Sequence, residues 1–203
     1  MKLTRSSRGR VVAAGVLALG VALLLLPASA GAATRHLGAG TATFSLDPTE
    51  TTTFMTNVIA PSPVYPARLS FGHSTVTFKM PISGGTWSGE KGTFLLTGGL
   101  AYVSPTAPST FKLLRLTQWH AGVNTTAGFS IVANGTRSSS FFDENLMGSI
   151  PSIVKIHGHK YVKVTNVMLF LDPTSAAAFT TAFGAPSFDG DYFGSVTFLA
   201  RVK

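Results

Sequence analysis

The sequence contains no cysteine, which excludes a disulfide framework, a thiolate metal site and a cysteine nucleophile. The same absence excludes a bacterial lipoprotein anchor, which needs a cysteine just past an export signal. Charge is also scarce: 12% of residues are charged, about half of the roughly 25% usual for a globular domain. That is too little for a long solvated coiled coil, while 45% hydrophobic residues are too many for a disordered chain. Acids are the rarest charged type, eight in 203 residues, and leave few groups for general acid or base chemistry. No Gly-rich phosphate loop, dinucleotide fingerprint or nucleophile elbow is present. These shortages argue against an enzyme.

What is present begins with an address. Lys2, Arg5, Arg8 and Arg10 precede an uninterrupted apolar run over residues 11–26, followed by Pro27-Ala28-Ser29-Ala30. Ala28 and Ala30 supply the small-x-small pattern of a signal-peptidase site. The run is 16 residues long, short of the roughly 20 needed to span a bilayer. Residues 1–30 therefore read as a cleaved, Sec-type export signal, and the product as secreted or envelope-associated with no transmembrane span. The signal holds four of the 16 bases and none of the eight acids, so the remainder carries a net charge of +4. Its bases are scattered, with no stripe interleaved with stacking aromatics, so no nucleic-acid partner is expected.

Residues 31–40 are small and read as a flexible lead-in, leaving residues 41–203 as a single domain. Beyond them the hydrophobic period is two. Val76, Phe78, Met80 and Ile82 share one face, as do Val196, Phe198, Ala200 and Val202. Further strands are predicted at 41–46, 93–97, 100–103, 111–119, 127–133, 153–157 and 161–171. Turn signals stand between them at Gly84-Gly85, Gly98-Gly99, Asn134-Gly135 and His157-Gly158. This pattern predicts an all-β fold: an antiparallel β-sandwich of about ten strands with two short capped helices.

The helices come from an internal repeat. Leu46-Asp47-Pro48-Thr49 recurs as Leu171-Asp172-Pro173-Thr174, and nine of the 17 aligned positions are identical without a gap. In each copy Asp is a helix N-cap and Pro sits at the first helical position, where its missing N–H costs nothing. Glu50 completes a capping box with Asp47. Phe179 and Phe183 share one helix face, and both copies return to a strand carrying Val-Thr-Phe.

The Leu-Asp-Pro-Thr helix near each end, Pro81-Ile82-Ser83-Gly84-Gly85, and Gly92-Thr93-Phe94-Leu95-Leu96-Thr97-Gly98-Gly99-Leu100 together resemble secreted actinobacterial proteins related to the HtaA domain. Thr165-Asn166-Val167 leading into the second helix is similar to the C-terminal part of those proteins. The resemblance implies an exported all-β domain, with haem as the ligand of the best-understood members. In those members an axial tyrosine lies near the domain start; the matching region, Thr51 to Ser70, offers Tyr65.

The residues themselves offer several ligand candidates. On a straight strand His157, His159 and Tyr161 share a face, so two imidazoles and a phenol could meet a metal or haem iron. The competing reading is a solvated hairpin tip, with Lys155, Lys160 and Lys163 repelling a cation. His73 and His120 stand alone as further candidates. Asp143-Glu144 is the only adjacent acid pair, in a segment read as a loop, and Asp189-Gly190-Asp191 lacks the distal acid of a calcium loop. The leading expectation is a non-enzymatic binding module for haem or another apolar small molecule. The alternatives are a structural or adhesive envelope protein without a small-molecule ligand and a carboxylate-based hydrolase.

Overall fold

A computed structural model describes residues 33–72, 75–107, 110–125, 128–147, 149–184, 188 and 190–203. Along them run β1 (Arg35–Leu46), α1 (Pro48–Thr56), β2 (Ala60–Val64), β3 (Arg68–Phe71), β4 (Val76–Ser88), β5 (Lys91–Leu96) and β6 (Gly99–Ala107). There follow β7 (Thr110–Val123), β8 (Phe129–Ala133), β9 (Thr136–Asn145), β10 (Ser152–Ile156), β11 (His159–Leu171), α2 (Pro173–Phe183) and β12 (Tyr192–Val202). All 12 strands belong to one sheet. Strands β7, β5, β4, β1, β12, β11, β9 and β8 pair in that order, and β8 pairs back onto β7, closing an antiparallel barrel. Outside the ring, β6 and then β2 extend from β7, β3 hangs on β4, and β10 on β11.

The all-β class holds, but the expected sandwich is a closed barrel. Period-two alternation reports one buried face per strand and is common to both architectures. Closure comes from the three long strands β4, β7 and β11, each of which breaks register midway, at Ile82/Gly84, Thr117/His120 and Val164/Val167. Such bulges bend a strand and raise its twist, so the sheet curls until its edges meet. Gly84-Gly85, read as a turn, lies inside β4 instead. A Cβ on Gly85 would stand 2.0 Å from the Thr93 carbonyl oxygen, so the glycine is there for close strand approach.

Residues 35–40 are not a lead-in. They form the first half of β1 and pair with both β4 and β12, with Leu37 buried. Gly40 permits this, because a Cβ there would meet the Leu199 carbonyl oxygen at 2.2 Å. The segment around Asp143-Glu144, read as a loop, is the end of β9.

The barrel interior is aromatic. Trp119 lies between Phe44 of β1, at 5.2 Å between ring centroids, and Phe142 of β9, at 5.9 Å. Phe94 and Phe198 stack at 4.4 Å. The faces predicted for β4 and β12 are buried, save Val202 at the rim.

Both capped helices are present. Asp172 accepts from the Ser175 N–H at 2.8 Å, Pro173 opens α2, and Gly184 closes it with φ 69°. Asp47 accepts from the Thr49 N–H at 2.8 Å in α1, while the Glu50 side chain lies outside the described residues. The repeat-equivalent phenylalanines Phe54 and Phe179 stack on each other at 5.0 Å, joined by Tyr102 and Phe188. The two Val-Thr-Phe segments are not equivalent in register. Val76 opposes Leu46, whereas Val196 opposes Val167, four residues short of Leu171.

Candidate functional site

The described aromatic side chains are mostly packed inside; Phe71 is 69% exposed and Tyr65, the most exposed of them, 92%. Tyr65 sits in the turn joining β2 to β3, before a cis peptide to Pro66. The turn is anchored on both sides of that side chain. The Ala67 N–H bonds the Val64 carbonyl at 3.0 Å, and Ala67 is buried. Gly98, with φ 90°, lets the β5–β6 connection press against it: a Cβ there would stand 2.7 Å from the Ala67 nitrogen. A hydrogen-bonded, closely packed turn thus presents an exposed phenol.

Concavities flank that phenol. A groove of about 320 Å³ is lined by Tyr65, Pro66, Arg68, Lys79, Met80 and Pro81 with Thr41. A broader one of about 730 Å³ has Tyr65, Leu96, Leu113, Arg115, Gln118 and Val132 among its walls. Arg68 and Lys79 are directly opposite each other on β3 and β4, and both are exposed. Like charges in that position repel. Arg137 donates to Gln118 Oε1 at 2.9 Å and adds a further cation beside the broader groove. The arrangement offers one phenol, apolar walls and several guanidinium or ammonium groups, which suit a carboxylated apolar molecule.

A third, more apolar groove of about 450 Å³ lies between α2 and the β7–β9 wall. Ala177, Ala178 and Ala182 face Leu114, Ala133 and Phe141 across it.

The histidine candidates lie elsewhere. His157 and Gly158 form the two-residue turn between β10 and β11, with φ 48° and 82°, as the turn signal predicts. His159 is exposed, and its Nδ1 accepts from Arg201 Nη2 at 2.9 Å. Tyr161 is half-buried opposite Arg201 and Val154. His159 and Tyr161 share a face by register, while the turn carries His157 away from it. His120 is exposed on the outer wall, opposite Leu95 and Ser130, with β8 and β9 between its strand and β11. His73 and Asp189 lie outside the described residues. Among the described residues, no group of three or more His, Asp or Glu could hold a metal ion.

Asp143 is exposed, and Glu144, the next residue along β9, is half-buried, so the pair divides between the two faces of the strand. Burial pushes the Glu144 carboxyl up to about 7, against the opposing pull of the Asn124 backbone N–H. Its Oε2 and the Nε1 of Trp119 are buried and reach no partner among the described residues.

No family model and no curated protein matches the chain. Among solved structures, the C-terminal domain of HtaA from Corynebacterium glutamicum superposes with a TM-score of 0.56 at 11% identity. The match covers 83% of this chain and 99% of that one. The fold is that of an HtaA domain. The haem-binding protein HtaB from the same organism is similar at a TM-score of 0.47 and 11% identity, covering 84% of this chain and 96% of its own. The HtaA likeness agrees with the one read from the capped helices and turn motifs. Sequence reasoning reached Tyr65 only through that resemblance. The one local signal is Tyr-Pro followed by a base at Arg68, because Lys79 joins them through strand pairing alone.

Proposed function

We propose that this chain is an exported, non-enzymatic binding module whose ligand is a flat, apolar molecule carrying carboxylates, with haem as the specific instance. The observation that carries the reading is the exposed Tyr65 phenol between grooves that contain Arg68, Lys79 and Arg115. The resemblance to the HtaA domain, whose best-understood members bind haem, supports it. Tyrosine is an established axial ligand for haem iron. In this chain Tyr65 would supply that ligand, and Arg68, Lys79 and Arg115 would meet the carboxylates. Leu96, Leu113 and Val132 give the apolar wall. Export by residues 1–30 would place the site outside the cell, where it has no need of acid–base groups.

Titrating the protein with haemin and following the Soret band tests this. A saturable shift in the intact protein that weakens in Arg68→Gln/Lys79→Gln supports the reading; no shift overturns it. The groove beside α2 favours a second reading, an apolar ligand without iron. Ala178→Trp would fill that groove and displace an apolar fluorophore while leaving haemin binding unchanged.

A further inference from the structure

Between Asn145 and Asp172 the chain has three lysines and two histidines but no acid. This segment contains the β10–β11 hairpin, and among the described strands β10 pairs with β11 alone. Lys155 and Lys160 face each other directly across the hairpin, both exposed, with neither side chain meeting a carboxylate among the described residues. Ile153 opposes Val162, which puts Ile153 on the same face as the two lysines. Ile153 is 46% exposed, and just upstream Met147 is 78% and Ile150 71% exposed. Thus three of the nine large hydrophobic side chains exposed among the described residues fall within seven positions. Ile153 lies next to the unneutralised lysine pair, while Ser149, which bonds the Asn166 carbonyl, places Met147 and Ile150 farther along the same side of β11.

We propose that the β10–β11 hairpin and its approach are a docking surface for an anionic lipid bilayer. The two kinds of side chain answer to the two layers of such a surface. Lys155 and Lys160 meet the headgroup charge, and an anion between them relieves the repulsion that the register imposes. Met147, Ile150 and Ile153 enter the boundary between headgroups and acyl chains, where apolar side chains gain what they lack in water. A soluble anionic polymer would satisfy the lysines but would leave the three apolar side chains exposed, so the bilayer accounts for more of the surface. This surface does not include Tyr65, Arg68 or Lys79, so the proposal stands apart from the haem reading.

Co-sedimentation with vesicles tests it, using residues 32–203, which form a compact unit of their own. Binding is expected to vesicles of phosphatidylcholine containing phosphatidylglycerol, to fall as salt rises, and to be absent with phosphatidylcholine alone. Each cation near such a surface contributes about five-fold, so Lys155→Gln/Lys160→Gln is expected to weaken binding about 30-fold. Ile150→Ser/Ile153→Ser is expected to weaken it as well, with the thermal melt of every variant recorded to show that it is folded. Equal binding to both vesicle types overturns the proposal. So does an isoleucine variant that binds like the parent, which would assign the lysines to a soluble polyanion instead.

Discussion

Two sets of aromatic residues in this molecule are handled in opposite ways. Under the helices, Phe54, Tyr102, Phe179 and Phe188 are buried and in ring contact, each supported by the others. On the β2–β3 turn, Tyr65 stands in solvent beside Arg68, held by a buried Ala67 and a close-fitting Gly98. The first arrangement turns aromatic area into stability, since burying such rings is among the largest favourable terms available to a domain without disulfides. The second gives up that gain at a turn that is nonetheless hydrogen-bonded and closely packed against Gly98. An exposed phenol beside Arg68 and Lys79 on such a turn is the feature on which the proposed binding site rests.

Substitutions sharpen this contrast in order of size. Phe179→Ala leaves a cavity where four rings meet and is expected to cost about 3–5 kcal/mol in denaturant unfolding. Asp172→Ala removes a buried N-cap and is expected to cost about 1–2 kcal/mol. The same change at the more exposed Asp47 falls at the low end of the capping range, about 0.5 kcal/mol. Glu144 supplies a pH test. Its folded-state pKa, about 7, is raised above the ordinary 4.5, so the folded protein holds this proton more tightly than the unfolded chain. Its contribution to stability is therefore full below pH 4.5 and lost as the pH rises through 7. Glu144→Gln is expected to remove that decline, and stability curves of the two proteins should separate progressively across this window. Tyr65→Phe is expected to shift stability least, within about 0.5 kcal/mol.

Much of the buried half of the contrast could be read from the sequence. The Asp-Pro caps, the repeat that brings Phe54 to Phe179, the alternating faces of β4 and β12 and the glycine turns other than Gly84-Gly85 depend on local chemistry. The closure of the barrel could not be read, because it depends on which distant strands pair. The bulge at Gln118 shows why. Leu114 and Leu116 are buried before it, and Trp119, Ala121 and Val123 after it, so the alternation changes parity within one strand. A period-two reading ends the strand there. The start of β1 was hidden for a different reason, since Gly38 and Gly40 look like flexibility until the Leu199 carbonyl is seen to require a glycine at position 40. The Arg68–Lys79 pair was invisible because it joins residues eleven apart only through the β3–β4 register.

The most direct test of the recognition claim is the absorbance spectrum of haemin bound to the intact protein and to Tyr65→Phe, recorded where both have been shown to be folded. A phenolate-to-iron charge-transfer band in the parent protein, absent from the variant together with most of the affinity, is the predicted result. An identical spectrum and affinity in the two proteins would contradict the claim that Tyr65 and its flanking grooves form the binding site.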